Sequence, residues 1–263
     1  GVYEDGVQQE VRFFESRSVP MDVILLLDAS ASMRDQMPLV HDAARGFMKI
    51  LREGDRGAVV AFSDNVRVVQ PLTGDAAALE AAISSTEAQG ATALHTAVYI
   101  ALKQFGRPAQ AGGEVRRQAI AVLSDGEDTS SLVSFDDVVG LARRMGVSVY
   151  TIGLRSGMAT LRRGSARTYF SDADYGLRAL AKETGARAFF PGSVHDLKRV
   201  YEDIAEELEA QYSIAYAPAN ARADGRFRRI VVRVTSSPDY RPRARAGYTA
   251  DGRASSDPLP PLR

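Results

Sequence analysis

The sequence predicts an α/β fold: a doubly wound, mostly parallel six-stranded sheet with one antiparallel edge strand, extended by a small β unit made from both flanks of the chain. Three observations predict it. From Val23 to about Ala210, short apolar, β-branched runs alternate with amphipathic stretches at helical spacing, the pattern of a parallel sheet covered by helices. Four of the apolar runs lack strict alternation, which marks strands covered on both faces. Further strand-like segments stand before and after this block.

Taken in order, residues 10–14 form a strand ahead of the main block. Residues 23–27 are the first central strand, and residues 38–51 the helix that covers it. Residues 58–62 follow as a second buried strand. Only Ser63-Asp64-Asn65 separates it from the run 66–69, too short for a parallel crossover, so 66–69 returns antiparallel at the edge. A helix over 91–105, a strand over 119–123, a helix over 135–145 and a strand over 147–152 continue the alternation. Helices at 175–183 and 194–208 flank a last, weaker strand at 188–190. Beyond the block, 211–216 and 227–234 read as strands. The latter alternates basic and apolar residues, as a half-exposed surface does. The expected division is an N-terminal β segment (1–20) packing with C-terminal strands, a main domain (21–210), a C-terminal β extension (211–250) and a disordered tail (251–263).

Composition narrows the function. The 263 residues are 45% hydrophobic, enough for one large α/β domain, and 33 basic side chains balance 33 acidic ones. A chain without net charge has no global field to draw it to nucleic acid or an anionic membrane, so neither is the expected partner. The absence of cysteine excludes disulfides, thiolate zinc sites and cysteine nucleophiles. His41, His95 and His195 lie too far apart in sequence for a histidine zinc site, so any metal should be hard and oxygen-bound. No apolar run approaches the ~20 residues that span a bilayer, so no membrane insertion is expected of this segment. The sequence opens on Gly1 as though cut from a longer precursor, and the protein is expected to be exported: periplasmic, cell-surface or secreted.

Asp28-Ala29-Ser30-Ala31-Ser32 follows the most hydrophobic strand and precedes a helix, which places its polar groups at a carboxyl-terminal strand edge, where open α/β sheets bind ligands. Ser124-Asp125-Gly126-Glu127-Asp128-Thr129 follows the strand ending at Leu123 in the same way and should reach the same rim. Gly90-Ala91-Thr92 opens a helix; its glycine permits a sharp turn and aims Thr92 into the cleft. Taken one by one, these are ordinary features: Ser30, Ser32 and Thr92 read as helix caps, Asp125-Gly126 as a turn, and Glu127 and Asp128 as solvated loop charge. Their joint occurrence at matching strand ends favours a shared cation.

These residues resemble the metal-ion-dependent adhesion site of von Willebrand factor A domains: Asp28-x-Ser30-x-Ser32, Thr92 after Gly90, and Asp125 in Ser-Asp-Gly fill all five positions. The flanks, Glu4-Asp5-Gly6 to Phe14 and Arg228 to Val234 followed by Ala246-Gly247-Tyr248, resemble the bacterial, often exported, branch of that family. The resemblance implies that Ser30, Ser32 and Thr92 bind Mg2+ (or Mn2+ or Ca2+) directly and Asp28 and Asp125 mostly through water. It implies that a partner protein's Asp or Glu completes the coordination, and that the module is not an enzyme. It also implies a switch in which Thr92 and Asp125 exchange direct and water-mediated contact as the last helix, 194–209, moves.

Two other functions compete. A phosphohydrolase of the haloacid dehalogenase kind would use Asp28 as nucleophile, but the position two residues on, where an acid/base carboxylate belongs, is Ser30. A scaffold in which the ion only steadies the loops is the other. Neither a Gly-x-Ser-x-Gly elbow nor a Gly-x-Gly-x-x-Gly loop occurs. The long connection 154–174, carrying Arg155, Arg162, Arg163 and Arg167, is expected either to be disordered or to border the rim and receive an acidic partner.

Overall fold

The computed structural model describes residues 1–16, 19–105, 116–125, 128–154, 172–235 and 239–250. The expected tail and nearly all of the arginine-rich connection before residue 172 lie outside these residues.

The chain opens with β1 (Val2–Glu4) and β2 (Val7–Gln9), a hairpin closed by Asp5-Gly6. Both turn residues have positive φ, 47° and 86°, the geometry for which an Asp-Gly pair is suited. The N-terminal flank is therefore folded back on itself before β3 (Val11–Ser16), where a single strand from residue 10 was expected.

The main sheet is built on β4 (Met21–Asp28), buried at every one of its positions. After α1 (Met37–Met48), β5 (Arg56–Phe62) lies parallel to β4, and β6 (Val66–Thr73) returns antiparallel as the edge, where Pro71 is tolerated. The Ala-rich helix α2 (Ala76–Ser84), started by the Asp75 carboxylate accepting from the amides of Ala77 and Ala78, was not foreseen. Its apolar stripe is narrow, and its stability comes from Leu79 and Ile83 reaching the core. Next come α3 (Leu94–Gln104), β7 (Arg117–Ser124), α4 (Phe135–Met145), β8 (Ser148–Gly153), α5 (Asp172–Glu183), β9 (Ala188–Phe189) and α6 (Leu197–Glu209). The sheet order is β6-β5-β4-β7-β8-β9, with β4, β5, β7, β8 and β9 parallel. This is the expected mixed sheet.

Side-chain alternation along β4 sorts the core into two layers. Val23, Leu25 and Leu27 face α1, α2 and α6, while Ile24 and Leu26 face α3, α4 and α5. Each such side chain contributes about 1.5–3 kcal/mol on burial. Asp22, near the start of β4 and 1% exposed, is held by two guanidinium groups: Arg56 bonds both its oxygens (2.9 and 2.7 Å) and Arg116 bonds Oδ1 (2.9 Å).

Outside the main sheet, β10 (Tyr212–Tyr216) pairs antiparallel with β3, and β11 (Phe227–Val232) pairs with both β1 and β12 (Gly247–Thr249). The basic residues of β11 do not all point outward as expected. Arg228 is buried, bonded to the Asp224 carboxylate (2.9 Å) and the Arg222 carbonyl (3.0 Å), while Phe227 is exposed. The buried Glu4 carboxylate gathers this unit, accepting from the Tyr216 hydroxyl (2.8 Å) and the Tyr248 hydroxyl (3.0 Å) and so linking β1, β10 and β12.

Removing that acceptor leaves two partly buried hydroxyls without it. Glu4→Ala is expected to cost about 1–3 kcal/mol in urea unfolding, and Glu4→Gln less. Burial, then bonding to Glu4, pushes the Tyr248 hydroxyl from its ordinary 10.0 up to about 12. A phenol raised in the folded state contributes stability that is intact below its unfolded value and lost as pH rises through the folded one. Tyrosinate absorbance should therefore show the flanking unit weakening between about pH 10 and 12, and Glu4→Gln should bring that loss to lower pH.

Candidate functional site

In this strand order β4 and β7 are neighbours whose onward connections leave in opposite directions, and the crevice beyond their carboxyl ends is where such sheets bind ligands. Asp28 ends β4, and Ser124, followed by Asp125, ends β7. Asp28 is fully buried. Its Oδ1 accepts from the Ser30 amide (2.9 Å) and its Oδ2 from the Ser124 hydroxyl (2.6 Å). The Ser30 hydroxyl lies 3.0 Å from that of Ser32, which in turn donates to Asp125 Oδ2 (2.7 Å). Four of the five expected residues thus join in one run of hydrogen bonds.

Thr92 is brought to the rim by main-chain bonds. The Ala31 amide donates to the Gly90 carbonyl (3.0 Å), and the Gln89 amide to the Ala29 carbonyl (2.7 Å), which stitches the Thr92 loop to the Asp28–Ser32 loop. Gly90 has φ +80°, a left-handed conformation that favours glycine at this turn. Thr92 itself is buried; its amide donates to the Thr129 hydroxyl (3.1 Å), and its carbonyl accepts from the amides of Thr129 (2.9 Å) and Ser130 (3.1 Å).

The capping role expected of these residues taken singly does not occur. Ser30 precedes the 3-10 turn Ala31–Gln36 without capping it through its side chain, and α3 starts only at Leu94, after Ala93. The cap of α3 comes from the other loop. Asp128 Oδ1 accepts from the Leu94 amide (3.0 Å), its Oδ2 meets His95 Nδ1 (2.7 Å), and the Ser131 hydroxyl accepts from the Thr96 amide (3.0 Å). Asp128 is therefore a structural clamp, contrary to the solvated charge expected; Glu127 lies outside the described residues. A signal was present in the run Asp128-Thr129-Ser130-Ser131, four cap-forming side chains in excess of what one following helix uses. Ser124 was likewise passed over as a partner of Asp28.

Burial raises the pKa of Asp28 above its ordinary 3.8, opposed by the Ser124 and Ser30 hydrogen bonds and reinforced by the charge of Asp125. No basic side chain of the described residues figures among the groups that act on it. Among the described residues, no cluster of three His, Cys, Asp or Glu side chains is arranged to hold a metal.

Residues 22–203 match the family model of the von Willebrand factor type A domain. The chain belongs to the von Willebrand factor type A family. It is 25% identical over 218 residues to a UPF0353 protein of Mycolicibacterium vanbaalenii, covering 77% of this chain and 64% of that protein. To an uncharacterized protein of Borreliella burgdorferi it is 28% identical over 149 residues, covering 53% of this chain and 42% of the other. The chain thus spans less than two thirds of these relatives' lengths. Among solved structures, proximal thread matrix protein 1 from the mussel byssus, with a zinc-occupied MIDAS motif, superposes with a TM-score of 0.59 at 19% identity, over 78% of this chain and 49% of that one. At that identity the likeness is one of fold. Von Willebrand A domains are typically adhesion or interaction modules and in general not enzymes. Among the described residues of this one, no helix is long and apolar enough to cross a membrane.

The clamp gives a direct test of how this von Willebrand A domain builds its rim. Asp128→Ala removes the cap of α3 and should cost about 1–2 kcal/mol of stability, with faster hydrogen exchange at the Leu94 amide. Asp128→Asn, which keeps one acceptor oxygen, should recover part of that loss in the same urea titration.

Proposed function

We propose that this von Willebrand A domain is a divalent-metal-dependent protein-binding module. Asp28, Ser30, Ser32, Thr92 and Asp125 hold one Mg2+, or Mn2+ or Ca2+ in its place, and the ion receives an Asp or Glu side chain from a partner protein.

The observation that carries this reading is the contrast between the two buried carboxylates of β4. Asp22 is neutralised by Arg56 and Arg116, whereas Asp28 is given an amide, a hydroxyl and a second carboxylate nearby. A buried anion without a cation is costly, and a metal ion supplies the missing charge. The donor set fits the group: hydroxyls and carboxylates are hard ligands, and the Ser30–Ser32–Asp125 oxygens follow one another at 3.0 and 2.7 Å. Neutral hydroxyls offset little of the ion's charge and leave it attractive to an external carboxylate. The zinc-occupied motif of the mussel protein supports the same use of the fold here. The rival phosphohydrolase is disfavoured because Ser30 stands in its acid/base position and a serine hydroxyl does not titrate usefully near neutrality. An exported location suits a module of this kind.

The residues of this chain do two things in such a site. Ser124 and the Ser30 amide orient Asp28 through its two oxygens, and Ser32 holds Asp125 by a hydrogen bond. The bound ion supplies the electrophilic point on which a partner's carboxylate docks.

Magnesium should raise the melting temperature of the wild type, equivalent to about 2.7 kcal/mol at a hundredfold excess over Kd. Because the folded Asp28 pKa lies above 3.8, its charge costs the metal-free fold stability at neutral pH; Asp28→Asn should therefore melt higher without metal and lose the magnesium response. Proton and ion compete for this carboxylate, so magnesium affinity should fall as pH drops through the raised value. A wild-type melting curve indifferent to magnesium, manganese and calcium alike would overturn the assignment. Loss of magnesium-dependent partner capture in Asp28→Ala separates binding from a scaffold role, in which capture would survive EDTA.

A further inference from the structure

A second surface lies where the flanking β unit meets the main domain, at the end of the sheet where α4 and α5 terminate and away from the rim. There a groove of about 580 Å³ runs between the second half of α5, the turn at Gly185 and β11. Among the described residues its lining includes five basic side chains, Arg178, Lys182, Arg187, Arg229 and Arg243, and no acidic one. Ile230, Val231, Val232 and Pro242 give it an apolar floor.

The groove exists because β12 covers only half of β11. The β11–β12 ladder spans Phe227, Arg228 and Arg229, and its last rung is the bond from the Ile230 amide to the Ala246 carbonyl (3.0 Å). Before that point the chain at 242–246 diverges from β11 and is pressed against Gly185, where an added Cβ would stand 2.6 Å from the Ala244 carbonyl carbon. Past the Ile230 amide, the stretch to Val232 therefore pairs with β1 on one side and, among the described residues, has no strand on the other, where it faces the groove. A strand edge left open in this way is a template for one more strand.

Charge selects what that strand would be. In a chain whose basic and acidic residues balance at 33 each, five cations around one cleft are a local segregation. Glu207 engages two of them, Arg187 (3.3 Å) and Arg243 (2.5 Å). Lys182 and Arg229 are exposed on opposite walls. We propose that this groove receives an extended acidic peptide segment of a partner protein, which adds to the free edge of β11 and sets its carboxylates against Lys182 and Arg229. Successive side chains of such a strand would follow the alternation of β11 itself, one set on the face of Arg229 and the next on the face of Ile230 and Val232, so the peptide it fits alternates acidic and apolar residues.

The experiment is a fluorescence-anisotropy titration of the full chain with a labelled octapeptide of alternating Glu and Val, in EDTA so that no rim ion takes part. Saturable binding is expected, weakened at least about tenfold in the double variant Lys182→Glu/Arg229→Glu and unchanged in Asp28→Ala. A matched Lys-Val peptide should not bind, and unchanged melting of the double variant shows that folding is intact. Equal affinity in wild type and double variant overturns the proposal, as does the absence of saturation at millimolar peptide; in that case the basic side chains merely guard the open edge against aggregation. Binding to phosphatidylserine vesicles, lost in the double variant while the peptide fails to bind, overturns it in favour of a membrane surface. Because every arm runs without divalent metal, failure here leaves the rim-ion reading standing, and failure of that reading leaves this one.

Discussion

Strand β4 carries a carboxylate near each end, both out of reach of water, and the rest of the domain is arranged around how each is neutralised. Asp22 is met by Arg56 from the neighbouring strand and by Arg116 from the approach to β7. Among the described residues, Asp28 is met by neutral donors, the Ser30 amide and the Ser124 hydroxyl. Hydrogen bonds soften the cost of burying an anion but do not cancel its charge, whereas an arginine does. One end of the strand thereby carries its own countercharges, and the other is the end at which we propose that a metal ion supplies one. The same parallel register that aligns β4 with β7 delivers both Ser124 and Asp125 to that second end.

Much of the fold was legible because the strands are extreme cases of their pattern. Val23 to Leu27 and Ala119 to Leu123 have no polar interruption, and only a sheet covered on both faces accommodates that. The three residues between β5 and β6 left no choice but an antiparallel return. Helix α2 escaped because alanine does not advertise a buried face; its position is decided by Leu79 and Ile83 and by the Asp75 cap. The Asp5-Gly6 hairpin was passed over although the dipeptide carries its own turn signal, since the strands it joins are only three residues long. Arg228 reversed its expected face because a local partner, Asp224, stood four residues away to receive it.

For the site, residue type and order were enough to bring Asp28, Ser30, Ser32 and Asp125 together, since all follow strand ends that the topology forces to one rim. What sequence did not yield is the division of labour around them. Side chains with capping chemistry were assigned to the helices nearest in sequence, whereas Asp128 and Ser131 cap a helix more than thirty residues upstream. Freed of that duty, Thr92 and Ser30 are left with hydroxyls unused by their own helices. Long-range capping is invisible to any reading that proceeds by local spacing.

That crossed arrangement has a mechanical side. Thr92 shares its amide and carbonyl with Thr129 and Ser130, and Thr96 exchanges bonds with Ser131 and Leu132 in the same fashion, so the start of α3 and the stretch running into α4 are laced into a single plate. The Ala31–Gly90 and Gln89–Ala29 main-chain bonds and the Ser32–Asp125 hydrogen bond fasten this plate in turn to the Asp28–Ser32 loop. All three rim segments are thereby fastened to one another, and two of them are continuous with strands of the sheet, so a load on any one is shared by the rest.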